Sequence, residues 1–263
     1  MKKKLLFLMM LLPMAAVTIL TSCGDDDESF GGGDFNNQSS KRIVKLVEEE
    51  GSSIYETTFS YDSQGRVIKA DETRTSSGSS SHSVFTYQYG ELAIVSKVVE
   101  EGTYSNGQSY TVSISHSYTL KNGLIVKDVE VQTYNGGHPS TITYTYSYDN
   151  NGYMATSSAS GYEIESYTDN LTWTNGNLTG LRGGELTYTN ISWPKGMFFF
   201  FESSNMDRLL WPGGFWGKTP KNMLYKDLYN GLTYDYTITN GLITKVRLIE
   251  SGNVVYVATY TWK

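Results

Sequence analysis

The chain has 263 residues, with 21 basic and 27 acidic side chains, a formal net charge of −6 and a single cysteine. One cysteine excludes an intrachain disulfide. An acidic chain without any cluster of Lys or Arg lacks the electrostatic footprint of a nucleic-acid-binding protein.

The N-terminus has the pattern of a secretory signal. Three lysines at positions 2–4 precede an apolar run over residues 5–20, and Leu-Thr-Ser-Cys ends at Cys23. The run is too short and wrongly flanked for a membrane-spanning helix, so we expect residues 1–22 to be removed. Cys23 after Leu-x-Ser resembles the bacterial lipobox, in which the cysteine is diacylated and becomes the first mature residue. An ordinary signal peptide with an incidental cysteine is the alternative.

Residues 24–40, GDDDESFGGGDFNNQSS, are acidic and rich in Gly, Asn and Ser. With almost nothing to bury, this segment is predicted to be a flexible tether. It is similar to the acidic export tag of Bacteroides-type lipoproteins, which implies a lipid-anchored protein on the outer membrane, exposed at the cell surface. The alternative is a run of charges that serves only solvation. Residues 41–263 contain no linker-like break, and we expect one domain there.

One pattern recurs along this domain: large and polar residues alternate, a turn with glycine follows, and β-branched or aliphatic residues come after it. The units are FSYDSQGRVIK (59–69), YQYGELAIVSKV (87–98), YTLKNGLIVKDV (118–129), YSYDNNGYMA (146–155), LTWTNGNLTGL (171–181) and YTITNGLITKV (236–246). Their turn glycines are Gly65, Gly90, Gly123, Gly152, Gly176 and Gly241. Asn-Gly pairs favour the positive φ angles of two-residue hairpin turns.

The alternation predicts antiparallel sheet with one buried face. In the run TITYTYSY (141–148) every second residue is Ile or Tyr, and we interpret these as the packing face. The predicted fold is all-β, a meander of roughly 14–16 strands curled into a barrel-like or flattened-barrel shape. One short helix is expected near residues 204–211, because Ser204 to Asp207 resemble a capping box and Pro212-Gly213-Gly214 would end it.

Alternation also fits an outer-membrane barrel. Such a barrel carries aliphatic residues at mid-strand on its lipid face and gathers its aromatics at both ends. Here tyrosines occupy mid-strand positions, where hydrocarbon offers their hydroxyls no partner. The sequence therefore favours a soluble domain attached to the membrane through Cys23.

Two family resemblances rest on specific residues. YDSQGRV (61–67) looks like one YD repeat of large bacterial shell proteins, which we take as a shared hairpin pattern only. A second resemblance rests on the lipobox, the hairpins, LLWPGGFWGKTPKNML (209–224) and the last strand (259–262). In these features the chain is similar to Bacteroides-type lipoproteins described as a domain of unknown function with a porin-like fold. The resemblance implies a β-barrel-like shape and an outer-membrane address, and it carries over no activity and no catalytic residue.

Residues for catalysis or metal binding are sparse. His82, His116 and His138 each lack a second ligand at metal-binding spacing, so no metal or other cofactor is expected. We interpret His116 as a hydrogen-bonded core residue and the other two as turn residues. Several carboxylate pairs lie close in sequence, but such pairs arise on any polar strand, and we predict that the protein is not an enzyme. These pairs are Asp71 with Glu72, Glu100 with Glu101, Asp128 with Glu130, and Glu163 with Glu165.

The segment from Trp193 to Leu224 interrupts the hairpin pattern with a concentration of aromatic residues. One interpretation is a plug in the open end of the barrel, and the other is an exposed platform for carbohydrate. The platform would use Trp211, Phe215 and Trp216. We predict that at least one of the two tryptophans is structural, with Trp216 the better candidate for a surface ring. A surface module that binds glycan is the leading functional hypothesis. A structural or assembly component of an outer-membrane complex is the alternative, and an enzyme comes third.

Overall fold

The computed structural model describes residues 41–161, 164–181, 184–198, 207–228 and 230–263. The predicted signal segment, Cys23 and the tether lie outside the described residues. The first nine strands are β1 (Ile43–Glu50), β2 (Ser53–Tyr61), β3 (Val67–Ser76), β4 (Ser79–Tyr89), β5 (Ala93–Thr103), β6 (Ser109–Lys121), β7 (Leu124–Tyr134), β8 (Ser140–Tyr148) and β9 (Met154–Gly161). The others are β10 (Tyr167–Asn170), β11 (Thr172–Thr174), β12 (Asn177–Leu181), β13 (Gly184–Ser192), β14 (Asn222–Asp227), β15 (Leu232–Thr239), β16 (Leu242–Glu250) and β17 (Asn253–Trp262).

The strands form one nearly closed antiparallel barrel. Each strand pairs with its neighbours in the chain, and β1 pairs with both β2 and β17, which joins the first strand to the last. The strands β10 and β11 are two pieces of one run around Leu171, with β10 paired to β9 and β11 to β12. The predicted all-β meander is therefore confirmed. Its 17 strands exceed the predicted range only because this run is divided.

The Asn-Gly turns have the left-handed backbone that a two-residue hairpin needs. The φ angles are 52° and 75° at Asn122 and Gly123, and 53° and 77° at Asn240 and Gly241. The Asn side chain tolerates this region and glycine adopts it freely, so these turns follow directly from the sequence. Positive φ is also found at Gly65, Gly152 and Gly176. Gly90 lies in the turn after β4, where its N–H donates to the carbonyl of Ala93 over 2.8 Å, but it is not among the residues with positive φ.

One end of the barrel is tied by aromatic side chains. The turns that follow β2, β4, β6 and β8 lie at this end, and here a Tyr hydroxyl or a Trp Nε1–H of one strand donates to a main-chain carbonyl near the start of the strand beside it. The bonds are Tyr61 to Ile43 (2.6 Å), Tyr89 to Val67 (2.7 Å), Tyr148 to Ile125 (2.7 Å), Trp173 to Met154 (2.7 Å), Tyr188 to Leu178 (2.6 Å), Tyr236 to Leu224 (2.5 Å) and Trp262 to Ile243 (2.8 Å). These bonds account for aromatic residues that recur in the hairpin units, and we call this end the tied end.

The connection between β13 and β14 enters the barrel from the tied end. We call its residues 193–198 and 207–217 the plug. Phe198 packs on Phe59 of β2 with ring centroids 4.8 Å apart, while Trp216 meets Tyr146 of β8 at 4.9 Å. Contact with strands so far apart in the wall requires the plug to lie inside the barrel. It supplies much of the apolar core at this end.

The predicted short helix is confirmed as one 3-10 turn, Arg208–Leu210. Asp207 caps this turn, because its Oδ1 accepts a hydrogen bond from the N–H of Leu209 over 2.9 Å. Residues 204–206 of the predicted capping box lie outside the described residues. In the described part of the chain, no helix has the length and apolar character needed to cross a membrane.

Candidate functional site

The predicted platform residues are buried in the plug. Trp211, Phe215 and Trp216 are 4%, 7% and 0% exposed. The Nε1–H of Trp216 donates to the carbonyl of Asp207 over 2.8 Å, and its ring meets Tyr118 and Tyr146 edge-on. The expectation that Trp216 is a surface ring is therefore wrong. The barrel interior must be filled, and the largest apolar side chains of the connection fill it.

The opposite end of the barrel interior is polar, and we call it the mouth. It lies beside the turns that follow β1, β3, β5 and β7. Because side chains alternate between the two faces of each strand, two rows of residues that are paired across neighbouring strands face the barrel interior here. The first row runs Arg74, Ser81, Gly102 and Tyr110, and the second runs Glu72, Ser83, Glu100 and Val112. The outward neighbours of these residues face solvent, so the polar side chains of the two rows are directed into the barrel.

Three tyrosines form a row at the rim of the mouth. The ring centroids of Tyr104 and Tyr110 are 4.6 Å apart, and those of Tyr110 and Tyr134 are 6.3 Å apart with an angle of 11° between the ring planes. Tyr104 and Tyr134 are 41% and 46% exposed, so each presents ring surface to solvent. Gly102 makes the arrangement possible, because a Cβ there would lie 2.4 Å from Cζ of Tyr110.

Carboxylates stand beside this tyrosine row. The hydroxyl of Tyr110 donates to Oε1 of Glu100 over 2.6 Å, and this bond, with burial, raises the pKa of Tyr110. Glu72 accepts from the hydroxyl of Thr57 over 3.0 Å. Burial raises the pKa of Glu72, and the negative charges of Glu48 and Glu100 raise it further. The hydrogen bond from Thr57 and the positive charge of Arg208 lower it, but the net shift is upward.

Deeper in the barrel, Glu48 holds the plug. Two guanidinium nitrogens of Arg208 donate to its two carboxylate oxygens over 2.7 and 2.6 Å, and the hydroxyl of Tyr256 donates to the same carboxylate. Burial alone would raise the pKa of Glu48, but the Arg208 and Tyr256 contacts outweigh it and hold the pKa below its usual value. The charge of Arg208 is therefore already matched by Glu48.

His116 is a core histidine, as the sequence predicted. Its Nδ1 lies 2.8 Å from Oδ2 of Asp128, whose side chain is fully buried. Burial would lower the pKa of His116, but the Asp128 hydrogen bond and the nearby charges of Asp128, Glu130 and Asp207 raise it. The predicted turn position of His82 is wrong: it lies within β4 on the outer face and contacts Asp71 at 2.9 Å.

The sequence-adjacent carboxylates do not form acid–base pairs. Asp71 faces outward to His82, whereas Glu72 faces inward to Thr57, because successive strand residues alternate between faces. Asp128 is engaged by His116, and Glu163 lies outside the described residues. His138 lies in the loop between β7 and β8. Within the described ranges, no three His, Cys, Asp or Glu side chains are grouped to hold a metal ion. The mouth therefore offers aromatic faces, carboxylate acceptors and hydroxyls.

Sequence reasoning did not find the tyrosine row. Tyr104 and Tyr134 are 30 positions apart, and the register of β5, β6 and β7 brings them together. The available signal was Gly102, since a glycine inside a strand often marks a place where another group comes close.

The family comparison agrees with the barrel. The family model described as a domain of unknown function (DUF4595) with porin-like fold matches residues 59–247. Among solved structures, a porin-like protein from Bacteroides vulgatus shares 10% identity, with a TM-score of 0.45, over 85% of this chain and 99% of its own. No curated protein matches the chain.

Proposed function

We propose that the protein, which belongs to the family described as a domain of unknown function (DUF4595) with porin-like fold, binds glycan. The family description names a fold and not an activity, so the proposal rests on the residues of the mouth. The observation that carries the proposal is the row of Tyr104, Tyr110 and Tyr134, whose outer two rings are exposed. The binding surface thus differs from the predicted one, which is buried in the plug.

The chemistry of the mouth suits a sugar. A pyranose ring has an apolar C–H face that packs on an aromatic ring, while its hydroxyls need hydrogen-bond partners nearby. Exposed rings of Tyr104 and Tyr134 supply the first requirement. Glu100 and the hydroxyl-bearing Ser81 and Ser83, all on the inward rows, supply the second. A concave site with aromatic walls and a few polar groups is the usual form of a small-molecule site.

The charges of the mouth narrow the class of glycan. Glu72 and Glu100 face the interior together with Glu48, and the guanidinium of Arg208 is already paired to Glu48. Arg74 of the first inward row offsets one of these charges, so the inward rows carry Glu72 and Glu100 against Arg74 and are formally negative by one. An anionic sugar would meet this net negative charge, which opposes association. We therefore expect neutral or amine-bearing glycans to bind, and uronic-acid or sulfated glycans to be excluded.

A glycan array followed by titration calorimetry tests the proposal. The wild-type protein is compared with Tyr134→Ala, Tyr104→Ala and the control Tyr225→Ala, which removes a 44% exposed tyrosine of β14 outside the mouth. We expect the two mouth variants to lose at least tenfold in affinity and the control to bind like wild type. Absence of any glycan ligand, or equal binding by all variants, would reject the proposed function.

A role in binding is favoured over a role in assembly by the closure of the barrel. An assembly component often offers an open strand edge, and the pairing of β1 with β17 covers the edges of the first and last strands.

We also propose that Cys23 anchors the protein to a membrane, with the mouth accessible at the cell surface. Support comes from Leu20-Thr21-Ser22-Cys23 and the basic and apolar segment before it. Two or three acyl chains hold a protein firmly at a bilayer. Growth with a clickable palmitate should label the wild type and leave Cys23→Ala unlabelled. Equal labelling of the two proteins would contradict the anchor.

A further inference from the structure

Five neighbouring strands each direct one buried oxygen into the same part of the barrel. None of these atoms has a hydrogen-bond partner among the described residues, and none of the side chains is more than 6% exposed. The atoms are Ser96 Oγ on β5, Tyr118 OH on β6, Asp128 Oδ1 on β7, Tyr146 OH on β8 and Ser157 Oγ on β9.

These atoms lie on three adjacent cross-strand rows of the wall, because Ser96 pairs with His116 and Asp128 pairs with Tyr144, and we call the five atoms together the row. Tyr118 stands directly opposite Asp128, and Tyr146 stands directly opposite Ser157. The charge of Asp128 acts on the hydroxyls of both tyrosines. Ser96 is a neighbour of the Tyr118 hydroxyl, although the geometry between them is not that of a hydrogen bond.

The plug covers this row. The ring of Trp216 meets Tyr118 edge-on at 6.0 Å between centroids and Tyr146 at 4.9 Å. Trp216 is fully buried, and its own N–H is bonded to the carbonyl of Asp207. The two tyrosines of the row therefore stand where the barrel wall meets the plug, against an indole that offers their hydroxyls no further donor.

Buried polar groups in folded proteins are almost always hydrogen-bonded, to protein or to ordered water. Four of these groups are hydroxyls, which donate as well as accept, and the fifth is a carboxylate oxygen, which accepts when ionised. A metal ion would use their lone pairs and leave four O–H groups without acceptors. Water both donates and accepts, so it matches the whole row. We propose that the row binds a chain of ordered water molecules between wall and plug.

Asp128 connects this chain to the histidine. One carboxylate oxygen is bonded to Nδ1 of His116, and the other belongs to the row. The water chain thus completes the hydrogen bonding of the buried Asp128, whose second oxygen would otherwise lack a partner in the low dielectric of the interior. The glycan site at the mouth uses a different set of residues, so the two proposals are independent.

The sign of a tyrosine-to-phenylalanine effect tests the proposal. If water bonds the hydroxyls, Tyr118→Phe and Tyr146→Phe should each lower the melting temperature of the full-length protein by about 2–4 °C. The matched control is Tyr148→Phe, whose hydroxyl donates directly to the carbonyl of Ile125 over 2.7 Å, and it should lower the melting temperature similarly. If the row is dry, removal of an unpartnered hydroxyl should leave the melting temperature unchanged or raise it, which would overturn the proposal.

A crystal structure at high resolution identifies the occupant. Peaks within hydrogen-bond distance of the five oxygens, with no anomalous signal after a soak in rubidium or thallium salt, are expected for water. An anomalous peak on the row would assign a monovalent cation instead and overturn the proposal, as would a dry interface. Ser157→Ala provides a further check, because it should remove a water peak while leaving the fold intact.

Discussion

The tied end and the mouth are built from the same strands and use the same residue type in opposite ways. At the tied end, the hydroxyl of Tyr148 is bonded to a main-chain carbonyl and its ring contributes to the core. At the mouth, Tyr104 and Tyr134 leave much of their ring surface exposed, and Tyr110 directs its hydroxyl to Glu100. An aromatic residue stabilises the barrel where the chain itself satisfies its polar atom. It is available to a ligand where the ring remains open.

The carboxylates repeat this contrast. Glu48 is matched by Arg208 of the plug and has a lowered pKa, whereas Glu72 shares the interior with like charges and has a raised pKa. One carboxylate stabilises the packing of plug against wall. Ionisation of the other is disfavoured in the folded protein, first by burial and then by these like charges.

Truncation of the plug should give the largest effect. Trp216→Ala removes a fully buried indole and its bond to Asp207, and we expect a loss of about 3–5 kcal/mol in the free energy of unfolding. The comparison is Tyr134→Ala at the mouth, for which about 0.5 kcal/mol or less is expected. Chemical denaturation of both variants provides the measurement. Equal losses would remove the distinction between a structural end and the proposed binding end.

The fold could be predicted from the sequence because its signals are local. Asn122-Gly123 and Asn240-Gly241 encode their turns in two adjacent residues, and alternation along each strand separates the two faces. Neither signal depends on a distant part of the chain. The all-β class and the succession of hairpins follow from them.

The site could not be predicted because it depends on register and on the plug. Tyr104 and Tyr134 reach Tyr110 only through the pairing of three strands. The raised pKa of Glu72 comes first from burial inside the barrel and then from Glu48 and Glu100 on two other strands. The burial of Trp216 depends on the path of an irregular connection with no period to place its side chains. Long-range geometry of this kind leaves little local pattern.

Loss of the Glu48 charge should give an intermediate effect. Glu48→Gln removes the ionic partner of Arg208, and we expect a loss of about 1.5–3 kcal/mol at neutral pH. Because the folded-state pKa of Glu48 is lowered, its contribution is present above the usual value of 4.5 and is lost as the pH falls through the folded-state pKa. The difference between wild type and variant should therefore shrink in acid, as urea denaturation at several pH values would show. A difference that grows in acid would contradict the ion pair.

Replacement of Glu72 should give the smallest effect and the opposite sign. Its raised pKa means that the folded state favours the protonated form, so its contribution to stability is present below the usual pKa and is lost as the pH rises. At neutral pH, Glu72→Gln should therefore raise the free energy of unfolding slightly, by less than about 1 kcal/mol. The gain should vanish in acid, where the wild-type carboxyl is protonated. Glu101→Gln, on the outer face of β5, is the control and should change neither stability nor glycan binding.

Glycan binding by the same variant decides what Glu72 is for. If this carboxylate lines the site, Glu72→Gln should weaken the binding of an amine-bearing glycan severalfold while the protein becomes more stable. Denaturation and calorimetry on one preparation measure both quantities. A variant that is less stable and binds normally would show that Glu72 stabilises the barrel wall. The proposed binding site would then consist of the tyrosines alone.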